Sequence, residues 1–437
     1  MSLKVCKFGG SSLADAEHFL KVRAILESDP TRRIVVVSAP GKRFSDDVKI
    51  TDMLLLCQSV QEQGLDLGQM FQKIRTRYKE IVQNLNVDID IDALLDETEA
   101  QMKKNGTKDF MASRGEYLCG RITAAWLKAR FVDPGEYLQI ESSGVIKEET
   151  YDKLGEALKG DDLVVMPGFY GCTPKGKVKT FPRGGSDISG AVAARAVRAE
   201  LYENWTDVNG FMMADPRLVK NPKHIETLTY KELRELAYMG ANVLHDESIY
   251  PVSEPGIPIE IRNTNDPTGP FTRIVPSRPK DDRVVTGIAG RKDFYLIQIE
   301  KILMNKMVGF GRRFLQIFES HGVNFEHAPT GIDTMSVIVR KEYVGEQLPA
   351  ILEEIKRTLQ PDRLEVTDNL ALIATVGQGM IRCVGFAGRL CTCLSKRGIN
   401  LQVIDLGSTQ DNMIVGVELN DFEEAVRAIY EEFEHQA

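Results

Sequence analysis

Short β-rich runs of residues, several of them continuously apolar, alternate with longer helical patterns through the first two thirds of the chain. A run without polar alternation is typical of a strand buried on both faces, as in a mainly parallel sheet covered by helices. The pattern therefore predicts an α/β domain. The strand candidates are residues 4–8, 34–38, 137–140, 163–167, 201–205 and 257–261. The helical candidates are residues 14–28, 51–63, 69–85, 91–104, 113–130, 150–159, 187–199 and 230–240.

A turn-rich stretch separates this domain from the rest of the chain. Residues 265–270 read Asn-Asp-Pro-Thr-Gly-Pro and are followed by Pro276 and Pro279, which favours a connector between domains. We place the boundary at 265–283. The expected domains are a first domain at 1–280, a module with its connector at 281–368, and a second module at 369–437. Alternatively, an early strand near 285–291 joins the second module.

An internal repeat predicts how the part beyond the boundary is organised. Each copy begins with the pair Gly-Phe and has a second glycine 13 residues after the first; these glycines are Gly309 and Gly322, then Gly385 and Gly398. Each copy continues into an alternating strand pair and a second helix. The pattern predicts two βαββαβ modules of about 70 residues, and the phenylalanine after each first glycine is expected in the core.

The overall charge argues against a protein that binds nucleic acid. The 437 residues contain 55 Lys and Arg against 63 Asp and Glu, a formal charge of −8. A protein that binds nucleic-acid phosphates usually has a basic surplus or a basic stripe. Neither is present, so we expect no nucleic-acid partner.

Compartment follows from apolar runs and cysteines. No run approaches the ~20 apolar residues of a membrane span, and the first residues enter a strand candidate without a signal-peptide core. We therefore expect a cytoplasmic protein with no membrane partner. The seven cysteines are scattered and lack paired C-x-x-C elements, which predicts reduced, mostly buried thiols and no protein metal site.

A glycine-rich segment follows the first strand candidate. It reads Lys7-Phe8-Gly9-Gly10-Ser11-Ser12. The glycines let the backbone approach an anion, the serines can donate hydrogen bonds, and Lys7 supplies a positive charge. An ordinary strand-to-helix turn with a solvated lysine explains this segment equally well when it is taken alone.

A second segment of the same kind precedes the helix candidate at 187–199. It reads Arg183-Gly184-Gly185-Ser186-Asp187. Ser186 or Asp187 could act as the helix N-cap, but capping does not explain an arginine followed by two glycines. Two charged, glycine-rich helix starts in one sheet domain suggest two walls of one anion site.

A third segment, Trp205-Thr206-Asp207-Val208-Asn209-Gly210, begins at a strand end, where open α/β sheets bind ligands. The pair Asn209-Gly210 predicts a turn there. A Walker-like Gly171-x4-Gly176-Lys177 lacks the hydroxyl residue that would hold Mg²⁺, since Val178 follows, and it reads instead as a hairpin turn.

Together these segments resemble the aspartate kinase family. Residues 7–12 are similar to its Lys-Phe-Gly-Gly-Thr-Ser signature, with Ser11 in place of threonine, and residues 183–187 are similar to its Arg-Gly-Gly-Ser-Asp loop. Further family motifs follow in the same order at residues 205–207, 215–217 and 240–245. The repeat resembles the paired ACT domains of these enzymes. The resemblance covers nearly the whole chain and implies an α/β amino acid kinase fold followed by two βαββαβ ACT modules.

The resemblance also implies an activity. It is the transfer of the γ-phosphoryl group of MgATP to the side-chain carboxylate of L-aspartate, giving 4-phospho-L-aspartate and ADP on the route to lysine, threonine and methionine. An aspartate carboxylate, with a reference pKa of about 3.9, is already ionised at neutral pH and needs no general base. Catalysis therefore depends on in-line positioning and on cations around the transferring group.

Site residues are carried over by position. The resemblance implies that Lys7 neutralises the transferring phosphoryl group, that Gly9 and Gly10 lend backbone donors, and that Asp187 organises Lys7 and the metal–phosphate assembly. The implied aspartate-binding residues are Thr51, Glu116 for the ammonium group and Arg183 for the α-carboxylate. The implied nucleotide-binding residues are Lys7, Phe8, Gly9, Gly10, Ser11, Gly185, Ser186, Thr206, Asp207, Met212, Arg217, Asn242 and Val243.

Three of these positions have a simpler or altered interpretation. Glu116 could be a solvated acid on a helix. Met212 stands where some relatives have tyrosine, and Asn242 where many have lysine, so Asn242 cannot supply that positive charge. We therefore expect rearranged nucleotide contacts with the phosphate-transfer groups intact.

The resemblance implies feedback regulation. ACT modules in this family bind end-product amino acids and commonly pair side by side, so we expect a homodimer or a dimer of dimers. The implied effector residues are Met304, Met307, Gly309, Phe310, Gly311, Asn324, Phe325 and Glu326. A carboxylate at 326 could pair with either ammonium group of lysine, whereas threonine offers one, which favours lysine as effector. Otherwise Glu326 lies at a solvent-exposed strand edge.

Two rival functions remain open from the sequence. One is another amino acid kinase, such as acetylglutamate or glutamate kinase, and the family motifs with a tandem ACT tail weigh against it. The other is a noncatalytic amino-acid sensor with a degenerate kinase fold, which the retained Lys7, Glu116, Arg183 and Asp187 disfavour. Gly377-x-Gly379 does not complete a dinucleotide fingerprint, so we expect a monofunctional kinase without a fused homoserine dehydrogenase.

Overall fold

The computed structural model describes residues 3–141, 144–182, 184–241, 243–279, 283–407 and 411–435. Two predicted site residues, Arg183 and Asn242, therefore lie outside the described residues. The chain divides into two compact units, and each is described by itself. The first comprises Met1–Phe211, His224–Ala237 and Asn242–Pro279, and the second comprises Met212–Lys223, Tyr238–Ala241 and Lys280–Ala437.

The first unit alternates strands and helices as the apolar pattern predicts. Its strands are β1 (Lys4–Phe8), β2 (Arg32–Val37), β3 (Arg130–Phe131), β4 (Val164–Pro167), β5 (Tyr170–Cys172), β6 (Val178–Thr180), β7 (Leu201–Thr206), β8 (Thr227–Thr229), β9 (Ile259–Asn263) and β10 (Thr272–Val275). Its helices are α1 (Ala16–Glu27), α2 (Ile50–Glu62), α3 (Gly68–Leu85), α4 (Ile91–Asn105), α5 (Lys108–Leu127), α6 (Pro134–Tyr137), α7 (Glu148–Leu158), α8 (Gly185–Ala196), α9 (Tyr230–Tyr238) and α10 (Tyr250–Ser253). A 3₁₀ turn, Gly10–Leu13, separates β1 from α1.

Eight of these strands form one sheet in the order β3-β4-β2-β1-β7-β9-β10-β8. Neighbouring strands are parallel except β9 and β10. The central strand β1 is hydrogen-bonded to β2 and β7, so Lys7 lies beside Val36 on one side and Asn204 on the other. This confirms the mainly parallel sheet, and the register decides which polar groups meet at its carboxyl edge.

One strand expectation is wrong. Residues 137–140 do not form a strand; helix α6 ends at Tyr137, and Gln139 and Ile140 make only isolated bridges. The helix starts because the side chain of Asp133 accepts a hydrogen bond from the backbone N–H of Gly135 and Pro134 occupies the first turn. The Walker-like segment is the turn between the paired strands β5 and β6, with Gly176 at φ +74°, as predicted.

The second unit is built on one antiparallel sheet. Its elements are β11 (Gly287–Glu300), α11 (Phe310–Ser320), β12 (Phe325–His327), β13 (Thr334–Arg340), α12 (Lys341–Val344), α13 (Leu348–Leu359), β14 (Arg363–Val376), α14 (Phe386–Lys396), β15 (Val403–Leu406), β16 (Asn412–Glu418) and α15 (Phe422–Phe433). The sheet order is β12-β13-β11-β14-β16-β15. The long strands β11 and β14 pair along most of their length. Residues 287–291 of β11 pair with residues 372–376 of β14, and residues 294–300 pair with residues 363–370.

The repeated glycines have a conformational reason. Gly309 and Gly385 are the N-cap residues of α11 and α14, at φ +75° and +82°. Gly322 and Gly398 follow these helices at φ +67° and +71°. Residues with a Cβ atom rarely adopt such φ values, so both copies use glycine to enter and to leave the helix. The phenylalanines after the first glycines are buried, as predicted.

Thiols and helices of the described part agree with the composition. All seven cysteines are free, and five of them are buried. Within the described ranges, none of the helices combines the length and apolarity that crossing a membrane requires.

Candidate active site

The two glycine-rich segments meet through one ion pair. The side chain of Lys7 reaches the first turn of α8, where its Nζ lies 2.5 Å from Oδ1 of Asp187. The two side chains are 8% and 14% exposed. A nearly buried ammonium group is costly unless an opposite charge pairs with it. The pair therefore fixes Lys7 at the carboxyl edge of the sheet.

Strand β7 holds the carboxylate of this pair. The side-chain amide of Asn204 donates to Oδ1 of Asp187 over 2.9 Å. The hydroxyl of Tyr202 donates to the backbone carbonyl of Asp187 over 3.0 Å. Asn204 is a contact of this ion pair that the sequence analysis missed. Its signal was a buried amide in a strand of bulky residues, directly before the Trp205 motif.

The first glycine-rich loop is hydrogen-bonded to the neighbouring strand β7, which the sequence did not predict. The backbone N–H of Gly9 donates to the carbonyl of Trp205 over 2.9 Å. This corrects the expectation that Gly9 lends a donor to phosphate, because its N–H already serves the loop. Of the two glycines, Gly10 stays the candidate donor, and Ser11 lies beside it in the 3₁₀ turn, half-buried.

A third glycine shapes this loop, and the sequence analysis missed it. Gly41 donates its N–H to the carbonyl of Gly10 over 2.8 Å. A Cβ atom at Gly41 would lie 2.6 Å from the carbonyl carbon of Gly10, so no other residue fits without moving the loop. Only contact across two strand ends reveals this requirement.

The start of α8 is uncapped by side chains. Its N-cap is Gly184 at φ +78°, and among the described residues no side chain makes a capping hydrogen bond there. The suggestion that Ser186 or Asp187 caps the helix is therefore wrong. Gly185 and Ser186 begin the helix instead, and the free N–H groups of a helix start favour an anion.

Glu116 is a buried acid with spare hydrogen-bonding capacity. It lies on α5 and is 5% exposed. The carboxylate accepts a hydrogen bond from the backbone N–H of Ala39, while Oε2 has no hydrogen-bond partner among the described residues. Burial raises the pKa of Glu116 to about 8, and the charges of Arg114 and Lys7 oppose that rise. The alternative of a solvated helix acid is thus wrong, because the Glu116 side chain is buried and its Oε2 stays available to a ligand.

Close packing brings Thr51 to the same place. A Cβ atom at Gly115 would lie 2.8 Å from Cβ of Ala39 and 3.3 Å from Cγ2 of Ile50. The residue before Glu116 therefore packs against the residue before Thr51. Thr51 is half-buried in the first turn of α2. It therefore lies next to the α5 segment that carries Glu116.

The carboxyl end of β7 supplies the next predicted residues. Phe8 and Trp205 stack with ring centroids 6.1 Å apart, which joins β1 to β7. Thr206 donates its hydroxyl to Oδ1 of Asp207 over 3.2 Å, and Gly210 makes the predicted turn at φ +89°. Val243 is half-buried in the first unit.

Met212 and Arg217 belong to the second unit. Arg217 is 83% exposed and pairs with Asp215 over 2.6 Å. This hydrogen-bonded pairing holds the pKa of Asp215 below its usual value. The guanidinium group therefore already has a partner, and a phosphate would share it or displace Asp215.

The predicted effector residues spread over the first repeat copy. Met304 and Phe310 are buried, whereas Phe325 is 45% exposed. Asn324 and Phe325 line an open pocket of about 800 Å³ against the outer side of α11. Gly309, Gly311 and Met307 lie around the start of α11, where a Cβ atom at Gly311 would touch the sulfur of Met335.

Glu326 is not at a solvent-exposed edge. Its side chain is 1% exposed, and its Oε1 lies 2.6 Å from Nε of Arg340. A hydrogen bond to Glu326, added to burial, raises the pKa of Tyr238 to about 12. The carboxylate charge is balanced by Arg340, so Glu326 is not the free carboxylate on which the preference for lysine was argued.

Comparison with known proteins decides the family. A profile of the amino acid kinase family matches residues 2–263, and a profile of the ACT domain matches residues 373–433. Aspartokinase 3 of Bacillus subtilis (strain 168) is 39% identical, covering 99% of this chain and 98% of its own length. The chain belongs to the aspartokinase family. The family expected from the sequence, an aspartate kinase with ACT domains, is confirmed.

Solved aspartokinases have the same fold. The crystal structure of Clostridium acetobutylicum aspartate kinase, described there as an allosteric enzyme, matches with a TM-score of 0.92 and 47% identity, covering 99% of this chain and 100% of that one. The R-state structure of E. coli aspartokinase III with aspartate and ADP matches with a TM-score of 0.80, covering 99% and 100%. At 23% identity this second match speaks for the fold alone. The amino acid kinase fold followed by ACT modules is thus confirmed.

Proposed function

We propose that this aspartokinase transfers the γ-phosphoryl group of MgATP to the side-chain carboxylate of L-aspartate, giving 4-phospho-L-aspartate and ADP. The observation that carries the proposal is the buried pair of Lys7 and Asp187 at the carboxyl edge of the parallel sheet. Open α/β sheets bind their ligands at this edge. The uncapped start of α8, whose first turn carries Asp187, adds backbone donors for phosphate.

Lys7 is the proposed catalytic cation. The acceptor carboxylate is ionised at neutral pH, so the main obstacle is repulsion between it and the phosphoryl oxygens. An ammonium group held in place by Asp187 and Asn204 lowers that repulsion without having to reorganise during the reaction. Asp187 acts by holding Lys7 and abstracts no proton.

Mg²⁺ fits this site as a partner of the phosphates. Mg²⁺ is usually bound through one or two carboxylates together with waters and substrate phosphates, and Asp187 offers such a carboxylate. Among the described residues no group of three or more His, Cys, Asp or Glu side chains is arranged to hold a metal ion. When bound, Mg²⁺ would neutralise phosphate charge and orient the oxygens. Asp187 is the residue that would hold it.

Aspartate is proposed to bind between α2 and α5. Glu116 supplies the carboxylate for the substrate ammonium group, and Thr51 a neighbouring hydroxyl. Arg183 stays the predicted partner of the α-carboxylate. The half-satisfied, buried Glu116 supports an amino acid over a simple dicarboxylate, because a buried carboxylate gains most from a cationic ligand.

The nucleotide-binding residues stay as predicted, apart from the correction at Gly9. Lys7, Phe8, Gly10, Ser11, Gly185, Ser186, Thr206, Asp207 and Val243 lie in the first unit, Met212 and Arg217 lie in the second, and Asn242 is not described.

Trapping the product tests the function directly. The purified protein is incubated with MgATP and aspartate, and hydroxylamine converts the acyl phosphate to a coloured hydroxamate. We expect aspartate-dependent hydroxamate and ADP. Glutamate and N-acetylglutamate in the same assay test the other amino acid kinases. An absence of product with every acid, under reducing conditions, would favour the noncatalytic sensor.

Asn204 provides a sharp test of the Lys7 site. Asn204→Leu removes the donor to Asp187, and we expect a fall in kcat of about tenfold, since hydrogen bonds to charged groups contribute about 1.5–3 kcal/mol. Asn204→Asp keeps the size but adds a negative charge that competes for Lys7, so it should lose more activity than Asn204→Leu. If Asn204 only fills space, the isosteric aspartate will be the milder change in the steady-state assay.

Regulation by an amino acid is part of the proposal. We propose lysine as the effector at the first ACT module, and threonine is the competing candidate. The exposed, partly aromatic pocket around Asn324 and Phe325 supports a small-molecule site there. Since Glu326 is already paired, we propose that it acts on the effector through Arg340 and not as an unpaired carboxylate.

Two variants separate these roles of Glu326. We expect both Glu326→Gln and Arg340→Met to raise the inhibitory lysine concentration about fivefold or more, with the double variant no worse than either single one. The control is Glu353→Gln, an exposed acid on α13 that pairs with Lys356 and lies outside this pocket. Loss of sensitivity in Glu326→Gln alone would instead show a direct contact. Normal lysine sensitivity in Glu326→Gln, in Arg340→Met and in the double variant would exclude a role for Glu326.

Oligomerisation and location stay predictions. The sheet of the second unit ends in β12 and β15, and edge strands can pair with a second chain. Exposed Phe325, Ile404 and Leu406 on these strands support a homodimer, or a dimer of dimers, through the ACT modules. We place the protein in the cytoplasm, with no nucleic-acid or membrane partner.

A further inference from the structure

The loop that carries Met212 and Arg217 is closed and anchored within the second unit. The N–H of Met213 donates to the carbonyl of Lys223 over 2.8 Å, which closes the loop at its two ends. The N–H of Ile288, on β11, donates to the carbonyl of Met213 over 2.7 Å. The residue next to Met212 is therefore attached to the central sheet of the ACT modules.

The last helix of the chain holds the rest of this loop. Nε of Arg427, on α15, donates to the carbonyl of Leu218 over 2.9 Å. The hydroxyl of Tyr430, on the same helix, accepts from the N–H of Lys223 over 3.1 Å. Lys223 also donates its Nζ to the carbonyl of Glu434. Two side chains one turn apart on α15 thus bind the loop backbone at two points.

Neighbouring residues restrict the conformation of both side chains. Arg427 is flanked by Glu423 and Glu424 of the same helix at 3.3 and 3.4 Å, which restrict its guanidinium group. Tyr430 is 5% exposed. Side chains that are ordered beforehand lose little entropy when they hold a partner.

The inside of the loop transmits this anchoring to Arg217. The N–H groups of Leu218 and Val219 donate to the carbonyl of Asp215 over 2.9 Å. The carboxylate of Asp215 accepts from both the N–H and the guanidinium group of Arg217. The turn is therefore one hydrogen-bonded piece, and Arg427 holds its last residue.

We propose that Arg427 and Tyr430 are positioning residues for the nucleotide, because they fix the loop 212–223 that presents Met212 and Arg217. The ligand class is an adenine nucleotide with its phosphates. The inference rests on the proposed function and extends it: the last helix of the second ACT module serves substrate binding as well as regulation. Neither side chain touches the nucleotide. Without them the loop must be ordered at the expense of binding free energy.

The test is a pair of conservative changes. Tyr430→Phe removes one hydroxyl, and Arg427→Met removes the charged donor but keeps an aliphatic chain. In the double variant we expect the KM for MgATP and the Kd for MgADP to rise about tenfold, the effect of losing one to two modest hydrogen bonds. The kcat and the KM for aspartate should change less than about twofold. Calorimetric titration with MgADP gives the Kd without turnover.

Arg389→Met is the matched control. Arg389, on α14, binds the carboxylate and the carbonyl of Glu432 and lies over the ring of Phe433, both on α15. We expect its Kd for MgADP to equal that of the wild type. An unchanged Kd in the folded double variant overturns the inference. So does a loss that Arg389→Met shares together with a lower melting temperature, since that shows a purely structural role for α15.

The two proposals fail in different ways. Wild-type protein that binds MgADP but phosphorylates no acid overturns the kinase activity and leaves the positioning role to the calorimetric comparison. Wild-type protein that does not bind MgADP overturns both.

Discussion

Replacing Lys7 with methionine is expected to lower kcat for aspartate phosphorylation at least about 10²-fold, the effect of removing one preorganised group that stabilises developing charge. The change keeps the aliphatic chain and removes only the ammonium group. Asp187 then keeps Asn204 as a donor but loses its cation, and the substrate carboxylate meets the phosphoryl group without local compensation. The hydroxamate assay at saturating substrates measures the loss.

A second lysine on the same strand is the control. Lys4 pairs with Asp29 over 2.8 Å at the opposite end of β1. Lys4→Met removes an equal charge from the same strand, and we expect kcat to stay within about twofold of the wild type. A Lys7→Met enzyme with near-normal kcat would remove Lys7 from catalysis. Equal losses in both variants would indicate a general effect on β1.

Replacing Glu116 with glutamine is expected to raise the KM for aspartate about 30-fold or more, with a smaller change in the KM for MgATP. Losing one member of a buried charge pair costs about 2 kcal/mol or more, and about 1.4 kcal/mol corresponds to a tenfold change. The lost contact is that between Oε2 and the substrate ammonium group. Steady-state kinetics with aspartate as the varied substrate provide the measurement.

The pKa of about 8 gives Glu116 a pH signature. In the free enzyme the side chain is protonated below that value, and it must lose its proton to pair with an ammonium group. Aspartate binding should therefore release a proton at pH 7, and the KM for aspartate should fall as pH rises from 6 to 8. Glu116→Gln should lack this dependence. A wild-type KM that is flat over this range would contradict the pairing.

The same raised pKa predicts that folding stability falls as pH rises, whereas aspartate binding improves. Because the value in the folded protein lies above the ordinary 4.5, the unfolded chain ionises first as pH rises. The group therefore costs folding stability increasingly from about pH 4.5 up to pH 8. Without substrate, Glu116→Gln should unfold at a temperature no lower than the wild type at pH 8.

Asp109 is the control for the effect of Glu116→Gln on the KM for aspartate. It is an acid on the same helix that is bonded to Thr180, and Asp109→Asn should leave the KM for aspartate unchanged.

Much of the architecture could be predicted from residue patterns. Continuous apolar runs at 34–37 and 163–166 predict strands buried on both faces, because no polar side chain alternates with the apolar ones. The repeated glycines predict two similar modules, because only glycine enters and leaves those helices at positive φ. The strand expected at 137–140 does not form, because Asp133 and Pro134 start a short helix that ends at Tyr137, and the next residues make only isolated bridges.

Local patterns alone determined the family, the mainly parallel sheet, the two modules and the two charged glycine-rich loops of this protein. Tertiary structure alone decided how charges are used. Lys7 and Asp187 are 180 residues apart in the chain, and the sheet register brings them together with Asn204. Glu116 became a buried, half-satisfied acid, whereas Glu326 was neutralised by Arg340. The physical reason is that the free energy of a charge depends on its burial and its partners, which long-range packing sets and sequence spacing does not.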